Sequence, residues 1–186
     1  MKTVIFGGTF DPLHSAHLEM ARKAADQFQL DRVLFIPAGN PPHKHTDTPF
    51  EHRYRMVELA CAADPRFVAS RLEEGSEKSY SIHTIERVKA ANGEVFFIIG
   101  ADAFAEIETW HRWQDVVRAV EFIVVARPGH AIASPPGAHF RRLETLELPV
   151  SSSEIRDALA RGETPIELPP AVAQYIHDHG LYQSPS

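Results

Sequence analysis

The chain has 186 residues, 44% apolar and 24% charged, with 19 Lys and Arg against 25 Asp and Glu for a formal net charge of −6. That length and apolar share suit one domain with a full core and exclude intrinsic disorder for most of the chain. The acidic balance argues against a broad nucleic-acid-binding surface but leaves room for a local anion site. A lone cysteine, Cys61, rules out an internal disulfide and a thiolate-based zinc site. The longest apolar runs, Val95–Ile99 and Phe122–Ala126, fall far short of the ~18 residues of a membrane span. The start, Met1 to Gly8, lacks the apolar stretch and small-residue site of a signal peptide. The expectation is a cytoplasmic protein with neither membrane nor nucleic acid as partner.

Thr3–Gly7 is a β-branched and aromatic run closed by Gly7-Gly8 and reads as a buried strand. After a turn over Thr9–Leu13, the residues Leu18, Ala21, Ala25 and Phe28 repeat with the period of one helix face. Arg32–Ile36 is a second strand, so the first unit is βαβ with a parallel pair. Pro37–Pro49, rich in Pro, His and Thr, reads as a loop long enough to be functional. The pattern then predicts a helix over Glu51–Ala63, a short strand near Phe67–Ser70, a helix over Ile82–Ala91, and the most apolar strand, Val95–Ile99, ending at Gly100. A helix over Asp115–Ala119, a strand Phe122–Ala126, a loop Pro128–His139, a strand Leu143–Leu148, and closing helices Ser152–Arg161 and Pro170–His179 complete the chain.

Strands alternating with helices predict an α/β fold, Rossmann-like and doubly wound, with a mainly parallel sheet covered on both faces and a small C-terminal helical part from about residue 151. The whole chain, 1–186, reads as a single domain. Ligands of such sheets sit at the C-terminal strand ends where strand order reverses, so the places to search follow Phe6, Ile36, Ile99 and Val125.

Two constellations fall there. In Gly7-Gly8-Thr9-Phe10-Asp11-Pro12-Leu13-His14-Ser15-Ala16-His17, two glycines let a ligand approach the backbone, and a helix starting near Leu13 turns free N–H groups toward the turn. His14 and His17 lie on one face of the first helical turn and carry N–H groups suited to phosphate oxygens. Taken alone, the glycines fit an ordinary strand–turn–helix equally well. Neither a P-loop nor a Gly-x-Gly-x-x-Gly turn occurs, and His-x-x-His lacks the Glu of a zinc protease helix. In Val150-Ser151-Ser152-Ser153-Glu154-Ile155-Arg156, Ser151 or Ser152 caps a helix and Glu154 sits at the capping-box offset from Ser151. Capping does not account for Arg156, whose fork would reach the same anion as the helix N–H groups.

The first segment resembles the Gly-Gly-Thr-Phe-Asp-Pro-x-His-x-Gly-His signature of the nucleotidylyltransferase superfamily, with Ala16 in place of a glycine. The second resembles its Ile-Ser-Ser-Thr-x-Ile-Arg partner, with Val150 and Ser153 substituted. Four further segments resemble the bacterial nicotinate-nucleotide adenylyltransferases in particular. They are Pro41-Pro42-His43-Lys44, Ser79-Tyr80-Ser81 through Thr84, Ile98-Ile99-Gly100-Ala101-Asp102 followed by Trp110, and the ending Leu168-Pro169-Pro170 through Tyr182.

The resemblance implies transfer of AMP from ATP to nicotinate mononucleotide, giving deamido-NAD and pyrophosphate, with Mg2+ arriving on the ATP. It implies that His14, His17 and Arg156 act on the phosphates. It also implies that Gly7, Gly8, Thr9, Phe10, Gly100, Asp102, Ser152 and Ser153 bind ATP, and that Lys44, Thr84, Trp110 and His111 hold nicotinate mononucleotide. No resident metal ligand is expected, and His43, His45, His177 and His179 read as solvated. Monomer and homo-oligomer stay open. The rival readings are a phosphopantetheine adenylyltransferase, which shares both phosphate motifs, and a non-catalytic nucleotide-binding regulator.

Overall fold

The computed structural model describes residues 1–40, 46–75, 80–145 and 151–183. Six strands, β1 (Lys2–Gly8), β2 (Arg32–Pro37), β3 (Phe67–Ala69), β4 (Glu94–Gly100), β5 (Glu121–Ala126) and β6 (Phe140–Glu144), form one sheet in the order β3-β2-β1-β4-β5-β6. Every neighbouring pair is parallel. Parallel strands need crossovers. These are α1 (Ser15–Gln27), α2 (Phe50–Cys61), α3 (Ser81–Asn92) and, between β4 and β5, α4 (Ala101–Ala105), a single 3-10 turn at Ile107–Thr109 and α5 (Trp113–Ala119). Two further helices, α6 (Ser152–Ala160) and α7 (Pro170–His179), follow β6.

Alternation along the strands divides the core in two. Val4 and Phe6 of β1, with Val33 and Phe35 of β2, face a layer containing Ala21 and Ala25 of α1, Met56 and Val57 of α2, Ile155 of α6 and Ile176 of α7. Ile5, Leu34 and Ile36 point the other way, toward Ile82 and Ile85 of α3, Phe104 of α4 and Val116 of α5. The C-terminal helices therefore share the core of the main sheet.

Two stretches differ from the sequence expectation. The last strand starts at Phe140, not Leu143, because pairing with β5 from Phe122↔Phe140 to Ala126↔Glu144 holds it, while Leu143 is its one buried residue. Its polar edge composition hid it, and residues 146–148 of the expected strand lie outside the described residues. Residues 101–109 carry helical turns too short to show a period, fixed by the fully buried Phe104 and Ile107.

Candidate active site

The strand order reverses between β1 and β4. Their pairing runs from Lys2↔Glu94 only as far as Ile5↔Phe97. Beyond that point β1 continues along β2 to Gly8↔Pro37, and β4 continues along β5 to Gly100↔Val125. The splay opens a cleft of about 580 Å³ with Gly7, Gly8 and Thr9 on one lip and Ile99 and Gly100 on the other. A side chain at Gly7 would touch nothing closer than the Ile36 carbonyl at 3.9 Å, and at Gly100 it would meet no protein atom within 4 Å. Glycine at both places leaves room at the lips for a ligand to lie against the backbone.

Phe10 does not line the cleft as expected. It is 3% exposed and held in the left-handed region at φ 51, a conformation costly for a bulky residue. Its ring packs against Phe6 and Phe35 and meets His17 edge-on, with centroids 5.1 Å apart. The hydrophobic anchor explains why the turn tolerates the strained backbone. Gly8 packs close beneath it, since a Cβ there would lie 3.3 Å from the Phe10 ring and press on it.

His14 and His17 pack together, their rings tilted by 35° with centroids 4.0 Å apart, at the start of α1. The His14 N–H donates to His17 Nδ1 at 3.1 Å. Nδ1 is thereby fixed as an acceptor, so neutral His17 carries its proton on Nε2. His14 is almost fully buried, and its Nδ1 has no partner among the described residues. Burial drives its pKa down from 6.5 to about 4, opposed by the charge of Glu167, so His14 is neutral near pH 7.

The second constellation meets the first. Ser151 caps α6, accepting from the Glu154 N–H at 3.2 Å. Ser152 donates to the Pro12 carbonyl at 3.1 Å, and Arg156 Nη1 donates to the Asp11 carbonyl at 2.8 Å. Both side chains thus hold the turn itself, where sequence reasoning read Ser152 as a helix cap or ATP contact and aimed Arg156 at an anion. Ser153 is exposed at the same helix start.

Sequence reasoning missed Arg53. It is 2% exposed, and it donates from Nη1 to the carbonyls of Thr9 at 3.0 Å and Ala38 at 2.6 Å, and from Nε to the Thr48 carbonyl at 3.1 Å. Burial lowers its pKa from the usual arginine value, and the charge of Asp11 opposes that shift. The Asp11 carboxylate also accepts from Thr46 and from Tyr182 near the C-terminus. A buried ion is tolerated only when its hydrogen bonds and charge are matched. Here the matching locks both segments that flank β1 and β2 at the cleft, Thr9 and Ala38. The available signal was an arginine at a position that the helix period assigns to the core.

At the far end of the cleft, Tyr80, Ser81, Thr84, Trp110 and His111 share the wall with Phe97. Trp110 meets Phe97 edge-on, with centroids 6.0 Å apart, and His111 stacks on Tyr80 at 4.4 Å. Thr84 is 5% exposed and donates to Glu73 Oε2 at 2.6 Å. Glu73 also lines the cleft, an acceptor that the sequence reading did not place there. Asp102 is exposed in the first turn of α4, outside the cleft wall. Lys44 lies outside the described residues.

The cytidylyltransferase-like family matches residues 5–158. The probable nicotinate-nucleotide adenylyltransferase of Solibacter usitatus is 59% identical, over 98% of this chain and 100% of that protein. A counterpart of the same name from Thermus thermophilus is 41% identical, with the same coverage. Among solved structures, the Plasmodium falciparum nicotinic acid mononucleotide adenylyltransferase complexed with NaAD superposes with a TM-score of 0.81 at 22% identity, covering 97% of each chain.

Proposed function

The chain belongs to the nicotinate-nucleotide adenylyltransferases, within the cytidylyltransferase-like family, and we propose on that footing that its reaction is transfer of AMP from ATP to nicotinate mononucleotide. The products are nicotinate adenine dinucleotide and pyrophosphate, a step of NAD biosynthesis. The observation that carries this reading in the structure is the cleft at the β1–β4 splay, glycine-lipped beside the phosphate motifs and aromatic-walled at Trp110 and Tyr80.

The chemistry asks little covalent work of the protein. A phosphate oxygen of the mononucleotide forms a bond to the α-phosphorus of ATP, the bond to the β-phosphate bridging oxygen breaks, and pyrophosphate leaves with that electron pair. The nucleophile is already anionic, so catalysis is positioning and charge stabilisation. Gly7, Gly8 and Thr9 admit the phosphates to the backbone. His17 offers its Nε2–H where charge develops. Arg156 spends one guanidinium donor on Asp11 and presents the rest of its fork to phosphate oxygens. Neutral His14 packs against His17 and keeps its ring in place.

Magnesium enters with ATP. Its oxygen ligands would come largely from phosphates and water rather than from a protein cage. At the other end, Trp110 supplies an aromatic face for the pyridine ring and Thr84 a hydroxyl donor for its carboxylate. Ranking acceptors tests the assignment: with ATP, pyrophosphate release is expected with nicotinate mononucleotide and not with phosphopantetheine. The reverse order would favour the rival transferase, and release with neither would favour the regulator.

A further inference from the structure

We propose that Glu73 occupies the subsite of the substrate's carboxylate in the free protein and is displaced when substrate enters. The inference rests on reading the cleft as the nicotinate mononucleotide site. Thr84 has a single hydroxyl proton, and the structure shows it given to Glu73 Oε2 at 2.6 Å. Both residues line the cleft on the wall that carries Trp110 and Tyr80. A pyridine carboxylate needs that same donor, and it carries the same charge as Glu73. Two carboxylates cannot share one hydroxyl proton, and placed side by side they repel. One must leave.

Glu73 is the group able to go. It sits in the turn between β3 and α3, where the Glu74 N–H returns to the Arg71 carbonyl at 2.9 Å, and it is half-buried where Thr84 is buried. The turn is bordered by cations: Arg71 pairs with Glu51 and Glu74, and Arg87 donates to the Leu72 carbonyl at 3.0 Å. Both arginines are already engaged, so a displaced carboxylate moves into water. In the free protein, Glu73 accepts from the buried Thr84 hydroxyl. It also makes acid and amide substrates unequal. An acid must evict Glu73, whereas an amide could donate its NH₂ group to a Glu73 that stays.

Steady-state kinetics of Glu73→Ala, Glu73→Gln and Thr84→Val, with nicotinate and nicotinamide mononucleotides, test this. Removing the competitor should lower KM for nicotinate mononucleotide about tenfold or more, the cost of one charge-assisted hydrogen bond. Glu73→Gln should fall between, because Gln still accepts from Thr84 but lacks the charge. KM for the amide should not fall in parallel, so the preference for the acid widens, and in a Thr84→Val background Glu73→Ala should give no such gain. An unchanged or raised KM for nicotinate mononucleotide in Glu73→Ala overturns the proposal, as does an equal fall for both substrates. Absence of turnover of nicotinate mononucleotide by the unmutated protein contradicts the proposed function instead. Intrinsic tryptophan fluorescence titrated with nicotinate mononucleotide, reading the environment of Trp110, then still ranks the affinities: no tightening in Glu73→Ala overturns the Glu73 proposal.

Discussion

Arg156 donates to the backbone carbonyl of Asp11 across 145 positions of sequence, at 2.8 Å. With Ser152 on the Pro12 carbonyl, this makes the two phosphate motifs one unit, in which α6 braces the turn that follows β1. Arg156→Lys should therefore fail twice. The ammonium cannot hold the Asp11 carbonyl and fork onto phosphate oxygens at once. We expect kcat/KM for ATP to fall by about 10²-fold, while Tm moves little. Full activity in Arg156→Lys would reduce Arg156 to a point charge.

His17→Ala removes a donor whose tautomer is set by the His14 N–H. The expected loss is about 10²-fold or more in kcat, with a smaller effect on mononucleotide binding, because the contact strengthens as charge builds in the transition state. Burst kinetics that separate chemistry from binding would check it. A loss confined to KM would place His17 in ground-state binding.

Arg53→Met takes a positive charge away from the neighbourhood of Asp11 and leaves the carbonyls of Thr9, Ala38 and Thr48 without their donor. Leaving such buried carbonyls without their donor costs about 1–3 kcal/mol for each group, which urea denaturation would read. Tyr182→Phe removes only one hydrogen bond to Asp11, so it should cost about 1–3 kcal/mol. Comparable stability for Arg53→Met and the unmutated protein would show that the hub is dispensable.

His14 gives a pH signature. Its folded pKa, about 4, lies below the unfolded value of 6.5 because the ring is buried. The unfolded chain therefore binds the proton first as pH falls. The stabilisation is complete above pH 6.5 and is lost progressively toward pH 4. Between pH 6.5 and 5, above most carboxylate titration, His14 should account for about 2 kcal/mol of lost stability. His14→Asn should flatten that stretch of the profile in denaturation measured at each pH, and an unchanged slope would show that His14 is not the titrating group.

Much of this architecture was legible because the central strands are short β-branched and aromatic runs bounded by glycine, as at Thr3–Gly7 and Val95–Gly100. The switch-point rule then directed attention to Phe6 and Ile99, whose strands do splay into the cleft. Features set by tertiary contact were not legible. Phe10 lies in a motif and looks like a cleft residue, yet packing against Phe35 turns it inward. Arg53 stands at a core position of its helix, a signal that something must match it, but only the fold shows its three carbonyl partners. The Thr84–Glu73 pair joins residues 11 apart, and no local pattern marks a hydroxyl as already engaged.

The central claim is best tested by following the α-phosphate. With ATP labelled there and nicotinate mononucleotide as acceptor, the label should appear in nicotinate adenine dinucleotide, in step with unlabelled pyrophosphate and only when the acceptor is present. Label released as free AMP, or pyrophosphate formed at the same rate without nicotinate mononucleotide, would contradict adenylyl transfer at this cleft.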